Sequence, residues 1–476
     1  MNYISTRGAA PILNFDDVLL AGLARDGGLY VPETWPILMP RTIGGLHAKS
    51  FAEIAVEVIH PFTGGSIPRE HLERMAADAY TGFGTAAVAP LVTLAPKLHV
   101  LELFHGPTLA FKDVAMQLLA RLMDYVLERR GARATIVGAT SGDTGGAAIE
   151  AFRSSKRIDI VILFPSGRVS DVQRRMMTTP TEANVHAVAI DGTFDDCQAL
   201  VKAMFNDLAF RDRVALSGVN SINWARIMAQ ITYYFSAAAR LGAPDAKVSF
   251  AVPTGNFGDI FAGYAAKRMG LDIDKLIIAS NENDILPRTV ATGVYEMRDV
   301  MQTSSPSMDI QVSSNFERYL FEASGRDASL IAGFMRDLAA NKRFALGGVG
   351  ENLKRDFAAA AASEADVAAA VRLVEAEHGY LLDPHTACGY VAAERHMGPS
   401  DMVVLATAHP AKFPDAMEAI VGARPPLPSR LSALMTDAER FEALPNDLRA
   451  VEHFVQSKSR VGREASTSES LCGGQA

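Results

Sequence analysis

The chain has 476 residues, too many for one small core, and its 49% hydrophobic and 21% charged side chains are ordinary values for a soluble globular protein of two or three domains. A net charge of −8 with no basic patch argues against nucleic acid as a partner, and no apolar run approaches the ~20 residues of a bilayer span. Three separated cysteines (Cys197, Cys388, Cys472) form no Cys-x-x-Cys pair, and the N-terminus lacks the apolar region of a secretory leader. Free thiols in a reduced cytoplasm are the expectation.

The first ~90 residues show few clean strands and scattered helices, and read as a lead-in domain. His105-Gly-Pro-Thr108-Leu-Ala-Phe-Lys112 then forms a turn that delivers a lysine to the start of a helix over Val114 to Arg130, stopped by Gly131. Short apolar runs follow at Ala134 to Ala139, Ile158 to Phe164, Val185 to Ile190, Val248 to Val252, Leu276 to Ala279 and Met402 to Ala406. Such runs suit strands buried on both faces, and helical patterns fall between them. Thr193 and Asp196 look like a capping pair ahead of a helix from Ala199 to Leu208. The alanine-rich stretch 358–370 reads as helix, because alanine has the best helix propensity. From Ser457 the composition predicts a disordered tail. The alternation predicts an α/β fold with mainly parallel sheets.

Two glycine-rich turns each leave a strand and enter a helix. The first, Gly138 to Gly146, carries Thr140, Ser141, Asp143 and Thr144 and enters a helix near Ala147. It has neither the Walker lysine nor the dinucleotide-fold spacing. The second, Pro253 to Asp259, contains Gly255, Asn256, Phe257 and Gly258 and opens a helix from Ile260 to Met269. Free N–H groups at a helix start suit a phosphate or a carboxylate, although glycine there also serves steric needs alone. Asn220, Ser221 and Arg226 cluster ahead of a long apolar helix, where they either cap it or bind a dianion. Thr407 ends a strand, at the edge where open α/β sheets bind ligands. His409 and Lys412 read as loop residues.

A lysine amine ahead of two anion-binding turns is the order a pyridoxal phosphate enzyme needs: a Schiff-base amine, and backbone N–H groups for a phosphate. Such a lysine must be neutral to attack an aldehyde, so it needs surroundings that lower its pKa from about 10.4, and the apolar Ala110-Phe111 pair offers them.

These segments, with Tyr3 to Gly8, Asp26 to Pro32, Phe104 to Asp113, Asp383-Pro-His-Thr-Ala387 and Thr407 to Phe413, resemble the threonine synthase family, over nearly all of residues 1–430 and in the family's order. The resemblance implies two mainly parallel-sheet domains of pyridoxal phosphate fold type II behind a lead-in domain. The expected extents are a lead-in over 1–90, a catalytic region over 91–430 with a smaller mobile part inserted at about 135–215, and a C-terminal helix and tail over 431–476. It implies a reaction in which O-phospho-L-homoserine and water give L-threonine and phosphate, in a monomer or homodimer that needs no metal.

By the same resemblance, Lys112 forms the Schiff base and shuttles protons. Gly255, Asn256, Phe257, Gly258 and Asp259 hold the cofactor phosphate, Thr407 faces the ring nitrogen, and Asp143 approaches the ring hydroxyl. Thr140, Ser141 and Thr144 receive the substrate carboxylate, while Asn220, Ser221 and Arg226 receive its phosphate. Asp143 departs from the wider group, where asparagine is common. A carboxylate beside a phenolate oxygen repels it unless a proton is shared. Asp383, His385 and Cys388 match a family motif, but a structural loop explains them equally well. A dehydratase or β-replacement enzyme would share Lys112 and the Gly255 turn without a reason for Arg226 beside Asn220 and Ser221. A non-catalytic relative would have no use for Lys112 and Thr407. An alanine-rich interaction protein would explain neither loop.

Overall fold

In a computed structural model, which describes residues 1–461, the chain divides into two compact units. One comprises Met1–Val18, Leu23–Ala115 and Ser221–Pro426. Its sheet has six strands in the order Ala358–Ala361, Ile273–Ser280, Val248–Pro253, Asp401–Ala406, Leu98–Glu102 and Leu91–Ala95. All neighbours are parallel except the last pair, a hairpin. The central strands are apolar on both faces because helices cover both, so every residue of Val248–Pro253 is buried.

Helix Pro384–His396 packs on this sheet. It comes close because Gly389 faces the strands: a Cβ there would meet Val404 Cγ1 at 3.0 Å and Pro253 Cγ at 3.2 Å. Helix Trp224–Arg240 is buried from Trp224 through Ala239 and packs against helices Phe51–Thr63 and Gly258–Arg268. Helix Phe51–Thr63 starts with a Ser50/Glu53 capping box and ends at Gly64 in the left-handed region. The lead-in is tied down by ions: Glu317 accepts from Thr6 Oγ1 at 2.6 Å and pairs with Arg7 at 2.9 Å.

The other unit comprises Leu19–Gly22, Met116–Asn220 and the segment from Leu427 onward. Its five strands are all parallel, in the order Glu442–Leu444, Val185–Ile190, Ile158–Pro165, Ala134–Ala139 and Leu216–Ser217. Its core gathers Val137, Val161, Leu163, Val188 and Ile190 from the sheet with Leu200, Val201 and Met204 from helix Phe194–Asn206. The C-terminal segment is pinned to it. Arg460 binds Asp159 through both its backbone N–H and its guanidinium, each at 2.7 Å.

The doubly buried strands and the Lys112 helix (Lys112–Arg129) lie where the sequence placed them. Four local readings differ. Ala358–Ala361 is not helical but an edge strand parallel to Ile273–Ser280, and helix starts only at Glu364, behind a Ser363/Asp366 capping box. Alanine propensity is weak, and here strand pairing and a strong cap decide against it. The Thr193/Asp196 box opens its helix at once, at Phe194, and the helix ends at Asn206 because Asp207 caps a second one, Leu208–Arg213. Helix Asp143–Phe152 begins four residues ahead of Ala147, so Asp143 and Thr144 stand in its first turn. Ser457 and Lys458 are the last residues of helix Leu448–Lys458, where a disordered tail was expected to begin. The rest of that expected tail beyond residue 461, Cys472 included, lies outside the described residues.

Because Gly389 fixes the spacing between helix Pro384–His396 and Pro253, Gly389→Ala should lift that helix and cost about 1–3 kcal/mol of stability in denaturant unfolding. An unchanged unfolding midpoint would show that the spacing is set elsewhere.

Candidate active site

Lys112 is the first residue of its helix and is 9% exposed, with its Nζ 5.0 Å from the centroid of the Phe111 ring. Its turn is held from both sides. Asp113 accepts from Thr108 N at 2.8 Å and Thr108 Oγ1 at 2.7 Å, and the buried Lys412 amine donates to the Thr108 carbonyl at 2.8 Å. Gly106 is required there, since a Cβ would sit 2.3 Å from Asp113 Cβ. On the far side, Phe111 N donates to the Thr407 carbonyl at 2.8 Å and His409 N to the Leu109 carbonyl at 3.0 Å. The residues one and three positions ahead of Lys112 are therefore tied by backbone hydrogen bonds to the segment around Thr407.

The second glycine turn ends in helix Gly258–Arg268, with Phe257 in the left-handed region at φ 61°. The first intrahelical bond runs from Phe261 N to the Phe257 carbonyl. The N–H groups of Gly258, Asp259 and Ile260 thus have no acceptor inside the helix. The turn's outer edge is built by a remote polar run: Ser313 Oγ donates to the Gly255 carbonyl at 2.6 Å, and Asn315 binds the Asn256 carbonyl through both its N–H and its side chain at 3.0 Å. A Cβ on Gly255 would lie 2.9 Å from the Ser307 carbonyl, so the backbone packs without side-chain room. Glycine backbone, a helix start and a buried lysine fit a phosphorylated aldehyde cofactor.

Asp259 belongs to this turn, but its carboxylate looks inward. It accepts from the hydroxyls of Tyr233 and Tyr234, and its Oδ2 is buried without a hydrogen-bond partner. Burial raises this carboxyl to about 6, against the pull of both tyrosine hydroxyls and of the Lys112 charge.

Ser221 and Arg226 stand at the start of helix Trp224–Arg240, but the cap is Asn223, whose side chain accepts from Ala225 N at 2.9 Å. Asn315 binds the Ser221 carbonyl and Arg318 the Ile222 carbonyl, which fixes this entry. Arg226 is buried in a first turn that carries no acid, and burial lowers its guanidinium to about 10, so it stays charged at neutral pH. A cation at the positive end of a helix favours a nearby anion. Asn220 is exposed and belongs to the second unit.

The first glycine turn also belongs to the second unit. Buried Thr140 accepts from Gly142 N and Gly145 N, both at 2.9 Å, and so shapes the loop, while its O–H remains a donor. Asp143 is buried and accepts from Gln173 Nε2 at 2.9 Å, whereas Ser141 is exposed and Thr144 partly so. Gly142 makes room for Gln173, since a Cβ there would sit 2.5 Å from Gln173 Cδ.

The motif left open by the sequence, Asp383 to Cys388, lies at the start of helix Pro384–His396. Asp383 caps helix Pro384–His396, and the Cys388 thiol donates to the Pro384 carbonyl at 3.5 Å. Burial raises both Cys388 and Cys197, the latter to about 11, which keeps both as unreactive thiols. Sequence reading missed the support: Asp113, Lys412, Gln173, Tyr233, Tyr234, Ser313, Asn315 and Arg318. Only the polar run at Ser313-Ser314-Asn315 carried a visible signal.

Comparison with known proteins agrees along the whole chain. Residues 2–80 match the family described as threonine synthase N terminus, residues 87–408 match pyridoxal-phosphate dependent enzyme, and residues 386–455 match threonine synthase, C-terminal. Threonine synthase from Pseudomonas aeruginosa is 50% identical over 467 residues, 97% of this chain and all of that one. The crystal structure of pyridoxal phosphate-bound threonine synthase from Brucella melitensis superposes with a TM-score of 0.95 at 60% identity, covering 97% of this chain and 100% of that one. The yeast enzyme gives 0.90 at 38%, covering 96% and 98%. A threonine deaminase from Solanum lycopersicum, 13% identical with a TM-score of 0.51, shares the fold alone.

Asp259 yields a pH test. An unfolded aspartate titrates near about 3.9. Its higher folded value of about 6 means that the folded state binds the proton more tightly, so stability from this group is lost as the pH rises between the two values and is flat above them. Asp259→Asn should therefore leave stability unchanged below about pH 4 and raise it, relative to the parent, by on the order of 3 kcal/mol above about pH 6. Parallel profiles in denaturant unfolding would contradict this.

Proposed function

The chain belongs to the threonine synthase family, and from that premise we propose which of its residues carry the reaction. The enzyme is a pyridoxal phosphate-dependent lyase that converts O-phospho-L-homoserine and water to L-threonine and phosphate. The observation that supports the residue assignment is the pair of backbone bonds joining Leu109 and Phe111 to the Thr407 segment, which ties the backbone just ahead of the buried lysine to the end of the strand.

Lys112 Nζ would be the amine that holds the cofactor covalently. Gly255, Asn256, Phe257, Gly258 and Asp259 would hold the cofactor phosphate. Asp259 would serve through its backbone N–H, because its carboxylate is turned to the tyrosines. The Thr407 hydroxyl would meet the ring nitrogen, and Asp143 the ring hydroxyl. When bound, pyridoxal phosphate supplies the electron sink that stabilises negative charge developed on the substrate.

The Lys112 amine would remove one proton from Cα and one from Cβ of the substrate; protons would be returned to Cγ and, once water has added at Cβ, to Cα, and the proton left over from water would depart with the phosphate. Arg226, with Ser221 and Asn220, stabilises the leaving phosphate dianion. The Thr140 hydroxyl, whose oxygen is already occupied as an acceptor, donates to the substrate carboxylate, with Ser141 and Thr144 beside it in sequence. Water supplies the hydroxyl at Cβ, so that carbon–oxygen bond cleavage at Cγ is balanced by hydration. A neutral Thr407 partner does not force the ring nitrogen to stay protonated, which leaves more of the proton handling to Lys112.

The reading extends to a small-molecule enzyme of the cytoplasm, a monomer or homodimer, that binds no nucleic acid. Among the described residues no helix is long and apolar enough to cross a membrane.

Phosphate release from O-phospho-L-homoserine, with threonine formed in equal amount, is the direct assay. Arg226→Gln should lower kcat/KM for that substrate by about 10²- to 10³-fold, the range for losing one buried charged donor to a developing anion. Release of ammonia from serine or threonine as the principal activity would favour the dehydratase reading instead.

A further inference from the structure

A helix cap needs only one acceptor oxygen, and Ser, Thr, Asn or Asp serves nearly as well. Asp383 does more. It is 1% exposed, and its two oxygens collect four donors. Oδ1 accepts from His385 N and from the His385 ring Nδ1, both at 2.9 Å. Oδ2 accepts from Thr386 N at 3.3 Å and from the Thr386 hydroxyl. An asparagine would turn an NH₂ toward one of these donors, so the arrangement requires a carboxylate.

Both partners then reach onward. The His385 Nε2 accepts from Ser307 N at 3.2 Å, which fixes the tautomer with its proton on Nδ1. The Ser307 carbonyl is the atom that leaves Gly255 no room for a side chain. The Thr386 hydroxyl accepts from Thr407 N at 3.2 Å. One buried carboxylate thus has a hydrogen-bonded arm to the segment packed against the phosphate turn and another to the strand-end threonine.

We propose that Asp383 is a positioning residue that sets the two ends of the cofactor site independently, the phosphate end through His385 and Ser307, and the ring end through Thr386 and Thr407. The inference rests on the pyridoxal phosphate reading above.

The test compares binding of pyridoxal phosphate and of pyridoxal, which lacks the phosphate, by absorbance titration. His385→Phe keeps the ring shape and removes the acceptor for Ser307. It should weaken pyridoxal phosphate about tenfold, the effect of one lost hydrogen bond, and leave pyridoxal unchanged. Thr386→Val removes the acceptor for Thr407. It should weaken both compounds by a similar factor and shift the visible absorption band, and Thr386→Ser should restore affinity and band position. Equal losses of both compounds in His385→Phe, or a parental band in Thr386→Val, would overturn the proposal and leave Asp383 as a helix cap. A parent protein that binds neither compound would overturn the cofactor reading itself.

Discussion

The site depends on a short backbone zipper. Strand Asp401–Ala406 is held between Val248–Pro253 and Leu98–Glu102, so its end cannot move without breaking a parallel sheet. The bonds from Phe111 N to Thr407 and from His409 N to Leu109 carry that rigidity across to the residue before Lys112. The lysine also begins a helix of 18 residues, which is a second rigid element. A side chain fixed between a sheet end and a helix start is held with far less slack than one on a loop.

The same polar groups that build the site tie it to the lead-in. Arg318 is fully buried, binds the carbonyls of Tyr30 and Ile222 and the Asn315 side chain, and Asn315 in turn holds the Asn256 carbonyl of the second glycine turn. Burial lowers Arg318 to about 9 against the pull of Glu317, so the guanidinium is charged at neutral pH and its buried donors need those carbonyls. Leaving one such partner unsatisfied costs about 1–3 kcal/mol. The N-terminal segment that carries Tyr30 is thus part of the framework behind the second glycine turn and not a detachable addition.

The sheet strands were legible because burial on both faces leaves an unbroken apolar run, as in Ile158–Pro165 and Val248–Pro253. Lys112 and the second glycine turn were legible because turn residues, strand and helix follow one another within a dozen positions. Ala358–Ala361 was misread because four alanines say nothing about the neighbouring strand that recruits them. Asn223, not Asn220 or Ser221, proved to be the cap, a choice among adjacent polar residues that spacing cannot make. The supporting shell was hidden for a different reason. Thr386 and Thr407 are 21 residues apart, Thr108 and Lys412 are 304 apart, and only the fold makes them neighbours.

The central claim is that the buried amine at the head of helix Lys112–Arg129 is the one that takes up the cofactor. Borohydride reduction of the protein loaded with pyridoxal phosphate, followed by peptide mapping, tests it most directly. The account predicts a single pyridoxyl label on the peptide containing Phe111-Lys112-Asp113. A label on Lys412 or any other lysine, or none, would contradict it.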